Sequence, residues 1–154
     1  MAITRAEFPL PDVSDELVAG YFVAAAREEL SIPRCVKCAR WCWYPEAACP
    51  ACGGRLEWTA TAGRGTLFTW AVVERAFLPA FAEMVPFVTA LVTLEEDPAV
   101  RVVTILVDCD PAELVVDQPM IVTFRPLRFP TVPDREVIVP MFRLGDSIAA
   151  QHVT

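Results

Sequence analysis

The chain has 154 residues, of which 55% are hydrophobic, and its formal net charge at pH 7 is −7. This length fits one domain or two small modules, and an acidic chain repels a phosphate backbone at long range, which argues against a nucleic-acid partner. No apolar run approaches the roughly 18 residues that indicate a membrane span, so we expect no membrane association and assign the apolar excess to a core or a partner-facing surface.

The first ten residues do not resemble a secretory signal, because they lack an apolar segment followed by a small-residue cleavage site. The chain nevertheless carries six cysteines. Together these observations predict a cytoplasmic protein, in which paired cysteines more often bind metal or perform redox chemistry than form disulfides.

The N-terminal part of the chain predicts one helix. Ser14 is a good N-cap residue, and two acids follow it in the first turn, where the helix dipole favours negative charge. Apolar residues then recur at helical spacing, which predicts a helix over residues 15–28 that packs against the core; the residues of this stripe are Leu17, Tyr21, Phe22 and Ala25.

Four cysteines form two Cys-x-x-Cys pairs, Cys35 with Cys38 and Cys49 with Cys52. Each pair forms a tight turn, or knuckle, that aims two thiolates at one point, and two knuckles give the tetrahedral sulfur set that zinc prefers in closed structural sites. A segment this small has too little core to fold without such a cross-link. We therefore predict a structural Zn²⁺ ion, preceded by a short strand over residues 30–34.

The cysteine pattern also admits other chemistry. A rubredoxin-type iron site in an electron carrier, a pair of disulfides and a redox-active thiol pair share parts of it. Cys42 lies between the knuckles and is interpreted as a spare thiol. Cys109 lies at a strand end and is interpreted as an ordinary small apolar residue. The single histidine, His152, lies in the tail, and no catalytic motif is present, so we expect a protein that is not an enzyme by itself.

From residue 56 onward, apolar and polar residues alternate as in strands, at 56–61, 66–74, 87–94, 100–107, 120–125 and 136–142. Asp110 and Pro111 predict one helical turn between the third and fourth of the last five strands. This order matches an OB-fold barrel, although an SH3-like barrel or a small sandwich would give a similar pattern.

The predicted fold class is mainly β with an N-terminal helix, in which a rubredoxin-like zinc ribbon is followed by a five-stranded OB-fold barrel. The expected division is a helical segment (1–29), the ribbon (30–60), the barrel (61–144) and a C-terminal tail (145–154).

Residues 30–35, 49–53 and 63–67 resemble the zinc-ribbon plus OB-fold family that was long catalogued as a domain of unknown function, family thirty-five. The resemblance covers about residues 10–128. Two turns depart from it, because Ala39 and the pair Gln118-Pro119 occur where members often carry glycine.

The resemblance implies a role beside acyl-CoA enzymes. Members accompany thiolase-like enzymes, including acyl transferases and retro-aldolases of steroid side-chain degradation, or are fused to hot-dog hydratases, and the catalytic residues reside on the partner. We therefore expect a non-catalytic accessory subunit that forms a hetero-oligomer with a thiolase-like or aldolase-like protein. The partner would act on acyl-CoA in steroid or fatty-acid side-chain degradation, and this chain would help to form its CoA or acyl site.

Three groups of residues, together with Arg64 near the start of the barrel, are candidates for contact with CoA or the partner. Basic side chains near the first knuckle can meet phosphates or an acidic patch, or can be a solvated edge. The aromatic residues between the knuckles either pack over the zinc site, which we favour, or stack an adenine or nucleobase. The connection over residues 76–86 either lines an acyl channel or interface or folds back as a capping helix. The candidates are Arg34, Lys37, Arg40, Trp41, Arg64, Phe77 and Phe81. The alternative functions are a nucleic-acid-binding ribbon–barrel module and a rubredoxin-like electron carrier.

Overall fold

The computed structural model describes residues 12–77, 79–129 and 132–146. After one helix, a two-stranded antiparallel sheet precedes a closed five-stranded barrel with the strand order β3-β4-β5-β7-β6, which is the OB-fold order. The elements are α1 (Ala19–Ala25), β1 (Ser31–Cys35), β2 (Leu56–Ala60), β3 (Arg64–Val73), β4 (Phe87–Leu94), β5 (Arg101–Leu106), β6 (Pro119–Leu127) and β7 (Val137–Leu144). The predicted fold class is confirmed, and every predicted strand is present within two residues at either end.

The helix begins later than the sequence predicts. It starts at Ala19, and Val18 at the cap position makes no side-chain capping hydrogen bond. The Asp12 carboxylate instead accepts a hydrogen bond from the Ser14 N–H at 2.9 Å, and the Asp15 carboxylate accepts one from the Leu17 N–H at 2.8 Å. These local turns compete with helix formation, so the prediction of Ser14 as N-cap is wrong.

Ribbon and barrel share one hydrophobic core. Alternate residues of β4 point inward, and Leu67 and Phe142 from other barrel strands are fully buried with them. Leu30 and Ile32, at the start of the ribbon, pack into the same cluster and are 1% and 0% exposed. The ribbon therefore gains burial from the barrel as well as cross-linking from its own cysteines.

The helix docks on the ribbon through a glycine. A Cβ atom placed on Gly20 would lie 2.2 Å from the Trp58 ring in β2, so only glycine permits this approach. On its other side the helix covers part of the barrel, because Phe22 packs with Val137, Val139 and Met141 on the outer surface of β7. Leu127, Phe129 and Val132 complete this cover.

Two connections of the barrel can be compared with the predictions, one between β5 and β6 and one between β3 and β4. Asp110 caps a 3-10 turn over Pro111–Glu113 by accepting the Ala112 N–H at 2.9 Å, as predicted. In the described part of the connection between β3 and β4, the one helical element is a 3-10 turn, Pro79–Phe81, rather than a longer capping helix. No helix in the described ranges is long and apolar enough to cross a membrane. The tail prediction for residues 147–154 lies outside the described residues.

Candidate metal centre and its surroundings

The two knuckles bring four sulfur atoms together. The Sγ atoms of Cys35, Cys38, Cys49 and Cys52 all lie within 4.8 Å of one another. Cys35 Sγ lies 3.5 Å from Cys52 Sγ, and Cys38 Sγ lies 3.7 Å from Cys49 Sγ. A tetrahedron with Zn–S bonds of about 2.3 Å has S–S edges of about 3.8 Å, whereas a disulfide needs about 2.05 Å. The sulfur set therefore fits one tetrahedral ion and leaves no open position on it.

The knuckles repeat one backbone pattern. The N–H of Ala39 donates to the Cys35 carbonyl at 2.9 Å, and the N–H of Gly53 donates to the Cys49 carbonyl at 2.8 Å. The N–H of each first cysteine closes the turn on the carbonyl five residues later, at 2.9 Å in both knuckles. The two knuckles therefore present their sulfur pairs to one shared metal position with the same local backbone geometry.

Backbone amides stabilise thiolates in both knuckles. The Cys38 N–H donates to Cys35 Sγ, and with the Lys37 N–H it lowers the pKa of that thiol against the effect of burial. Burial raises the pKa of Cys49, but hydrogen bonds from the Ala51 and Cys52 N–H groups, followed by those with the Cys38 and Cys35 sulfurs, lower that pKa to about 6. Thiolates are the form that binds metal, so backbone amides favour the metal-binding form at Cys35 and Cys49. At Cys52 the Gly54 N–H lowers the pKa, but hydrogen bonds with the Cys35 and Cys38 sulfurs, together with burial, raise it to about 12.

The spare cysteines lie outside the sulfur set. Cys42 is buried beside the cluster, and burial, followed by the neighbouring Cys49, raises its pKa to about 11. Cys109 packs against the barrel core, and burial, with Asp108 and Asp110, raises its pKa. Neither thiol has the depressed pKa of a nucleophile.

Four of the seven contact candidates lie around the first knuckle. Arg34, Lys37 and Arg40 are exposed there. The Arg34 guanidinium lies 5.1 Å from the Trp41 ring centroid, and its Nε donates to the Ala39 carbonyl at 3.0 Å. These contacts hold the Arg34 guanidinium in place, and with Lys37 and Arg40 it forms a positively charged surface beside the metal centre.

The other three candidates lie on the barrel. Arg64 begins β3 and lines a hollow of about 270 Å³ with residues of β6 and the chain after β7. Phe77 and Phe81 lie in the connection between β3 and β4, where Phe77 is 94% exposed and Phe81 is half-buried. The structure thus divides the candidates between ribbon and barrel.

The aromatic residues between the knuckles mainly pack. The Trp43 ring contacts the rings of Tyr21 and Tyr44, with centroid distances of 5.7 and 5.2 Å, and also packs against the shared core. Tyr44 is 62% exposed at the end of this stack. The contact with the helix could not be predicted, because nothing local in the sequence links Tyr21 to Trp43.

Comparison with known proteins agrees with this architecture. Residues 22–58 match the family model "ChsH2, rubredoxin-like zinc ribbon domain", and residues 58–125 match "ChsH2, C-terminal OB-fold domain". A DUF35 domain-containing scaffold protein of Methanothermobacter thermautotrophicus is 30% identical over 104 residues, which cover 66% of this chain and 76% of that protein. The chain belongs to the DUF35 family. Its metal centre is that of a rubredoxin-like zinc ribbon, with four cysteines clustered to hold the ion, as predicted.

Further relatives extend the comparison. A chain of the Ltp2-ChsH2(DUF35) aldolase superimposes with a TM-score of 0.71 and 31% identity, covering 88% of this chain and 98% of that chain. A DUF35-family protein of unknown function from Sulfolobus solfataricus shares the fold at a TM-score of 0.53 and 10% identity, over 87% of this chain and 89% of that chain. A probable enoyl-CoA hydratase alpha subunit of Thermomonospora curvata is 34% identical over 127 residues. The match covers 81% of this chain but only 36% of that relative.

Proposed function

We propose that this chain is a non-catalytic accessory subunit that binds an aldolase-like or thiolase-like partner acting on acyl-CoA substrates. The observation that carries the proposal is the match to a chain of the Ltp2-ChsH2(DUF35) aldolase, which extends over 98% of that chain at a TM-score of 0.71. The scaffold protein of M. thermautotrophicus supports the same role by its name. The hydratase-named relative supports a link to acyl-CoA chemistry.

The chemistry of the metal centre supports an accessory role. A zinc ion with four thiolate ligands has no open position for water or substrate, so it stabilises the fold rather than activating a nucleophile. The reacting groups would then come from the partner, in a pathway such as steroid or fatty-acid side-chain degradation.

The exposed basic surface of the first knuckle suits the phosphates of CoA. Arg34 presents a planar guanidinium already held against Trp41, and Lys37 and Arg40 lie on the same turn. On a chain of net charge −7, this local positive surface would attract an anionic ligand that the rest of the molecule repels. In this proposal the knuckle contacts CoA within the assembled complex.

The test is co-purification from the native host, with protein identification by mass spectrometry and measurement of the complex mass. We expect an aldolase-like or thiolase-like chain in fixed ratio with this one. The purified complex would then be titrated with CoA, using Arg34→Ala and, as a control distant in sequence on β6, Arg125→Ala, which removes a guanidinium paired with Asp108. Weaker CoA binding only in R34A would support the knuckle as the CoA contact, whereas equal binding would place CoA elsewhere.

A further inference from the structure

The outer side of the barrel carries a surface formed by β3, β4 and β5 that no other described residue covers. Thr69 pairs with Leu91, and Leu91 pairs with Val103, so these three side chains form one row across the sheet. Ala71 and Thr89 form the next row. Together with Phe68, these residues constitute the barrel face; all but Phe68 line a hollow of about 360 Å³.

The barrel face is apolar and exposed. Val103 is 50% exposed and Phe68 is 43% exposed. None of the six residues is charged, although 21% of the residues in the chain are. A continuous surface of this kind is typical of an interaction site rather than of solvent-facing barrel wall.

A backbone irregularity places two consecutive residues of β3 on this surface. Leu67 points into the core and is fully buried, and the shift in register between Leu67 and Thr69 leaves both Phe68 and Thr69 exposed on the outer side. The Arg101 guanidinium lies 4.0 Å from the Phe68 ring centroid and restrains the ring. An aromatic side chain held in place before binding loses little conformational entropy on association, which suits it to anchor an interface.

The chain's own elements cover the neighbouring outer surface instead, where Ile105 of β5 packs with the outer residues of β7. The helix, the last residue of β6 and the segment that follows it pack on β7, through Phe22, Leu127 and Phe129 among others. Within the described ranges, Arg101 takes part in no ion pair. The barrel face therefore combines an apolar centre, an aromatic anchor and an uncompensated positive charge at its margin.

We propose that the barrel face is the surface on which the aldolase-like or thiolase-like partner docks, with a carboxylate of the partner facing Arg101. This inference rests on the proposed function and adds the location of the interface. A second copy of this chain is disfavoured as occupant, because it would bring two unpaired Arg101 side chains into one interface. An anionic lipid surface is disfavoured because the chain itself carries a charge of −7.

The experiment compares one substitution at two equally exposed valines. Val103 lies on the barrel face and is 50% exposed, whereas Val36 lies on the first knuckle and is 53% exposed. Tagged full-length V103E and V36E would be purified from the native host beside the wild type, and the recovered partner identified and quantified by mass spectrometry. We expect V103E to lower partner recovery at least about tenfold, because a buried unpaired carboxylate is costly, and V36E to leave it unchanged.

The zinc content and thermal unfolding of each variant establish whether it folds, and Arg101→Glu provides a second test if V103E does not. Partner retained by V103E and R101E would overturn the inference. Loss in V36E alone would move the interface to the ribbon and leave the proposed function standing. A homo-oligomer that V103E dissociates would identify a second copy as the occupant and overturn the inference. If the wild type recovers no aldolase-like or thiolase-like chain, the proposed function fails together with it.

Discussion

Ala39 and Gly53 adopt the same left-handed backbone conformation, with φ angles of 61° and 68°, at equivalent positions directly after the second cysteine of each knuckle. The N–H of each residue donates to the carbonyl of the first cysteine in its knuckle, so the metal centre is built from two matched turns. Glycine adopts this conformation freely, whereas the Cβ atom of alanine makes it unfavourable. The first knuckle therefore carries a conformational cost that the second does not.

Replacing Ala39 with glycine should stabilise the protein by about 1 kcal/mol, because it removes this cost. The matched control is Gly53→Ala, where no atom lies within 4 Å of the new Cβ and the effect is purely conformational. It should destabilise the protein by about the same amount. Urea unfolding of the zinc-loaded protein measures both, and a destabilising A39G would contradict the equivalence of the turns.

Cys49 and Cys42 offer a matched test of the metal centre. Both thiols are buried, at 3% and 5% exposure, but only Cys49 belongs to the sulfur set. Cys49→Ser should abolish stoichiometric zinc and lower the unfolding temperature, because structural zinc supplies folding free energy. Cys42→Ser should keep one zinc ion per chain. Metal analysis by mass spectrometry measures the zinc content of both variants. Zinc loss in C42S but not in C49S would show that Cys42, rather than Cys49, is the ligand.

Gly20→Ala should destabilise the protein by about 1 kcal/mol or more, because the new methyl group would occupy the space of the Trp58 ring. Helix propensity alone predicts that this substitution stabilises the protein, since alanine favours the helical conformation by about 1 kcal/mol relative to glycine. The control is Val23→Ala, at a position 57% exposed in the same helix, which should change stability little. Chemical unfolding measured by tryptophan fluorescence gives the sign, and stabilisation by G20A would show that the helix does not dock through Gly20.

Tyr21 should weaken the folded state at high pH. Burial raises the pKa of its hydroxyl above the usual range. In the unfolded chain this group ionises near pH 10, so its contribution to stability is complete below that pH and is lost as the pH rises through the folded-state pKa. Unfolding experiments from neutral to alkaline pH should show a decline that is smaller in Tyr21→Phe. Identical pH profiles for the two proteins would contradict the burial of this hydroxyl.

The strands and the sulfur set were predictable because their signals are local. Alternation of apolar and polar residues indicates each barrel strand. Two residues separate the cysteines of each pair, and this spacing is typical of a metal-binding knuckle; the four ligands are Cys35, Cys38, Cys49 and Cys52. The late start of the helix was missed because the carboxylate of Asp12 takes the Ser14 N–H, and sequence alone does not decide between two nearby turn-forming residues.

The barrel face could not be predicted for a different reason. The sequence of β3 gives no sign that the register shifts between Leu67 and Thr69, and this shift places Thr69 beside Phe68 on the exposed side. Its contact with Arg101 joins residues of different strands and exists only once the barrel has formed. The contacts of Gly20 with Trp58 and of Tyr21 with Trp43 are likewise products of tertiary packing.

The most direct test of the accessory role is reconstitution of activity. The co-purified partner, this chain and their mixture would each be assayed for turnover of acyl-CoA substrates under identical conditions. We expect no turnover by this chain alone and higher turnover by the mixture than by the partner alone. Turnover by this chain in the absence of any partner, or a mixture no more active than the partner, would contradict the accessory role.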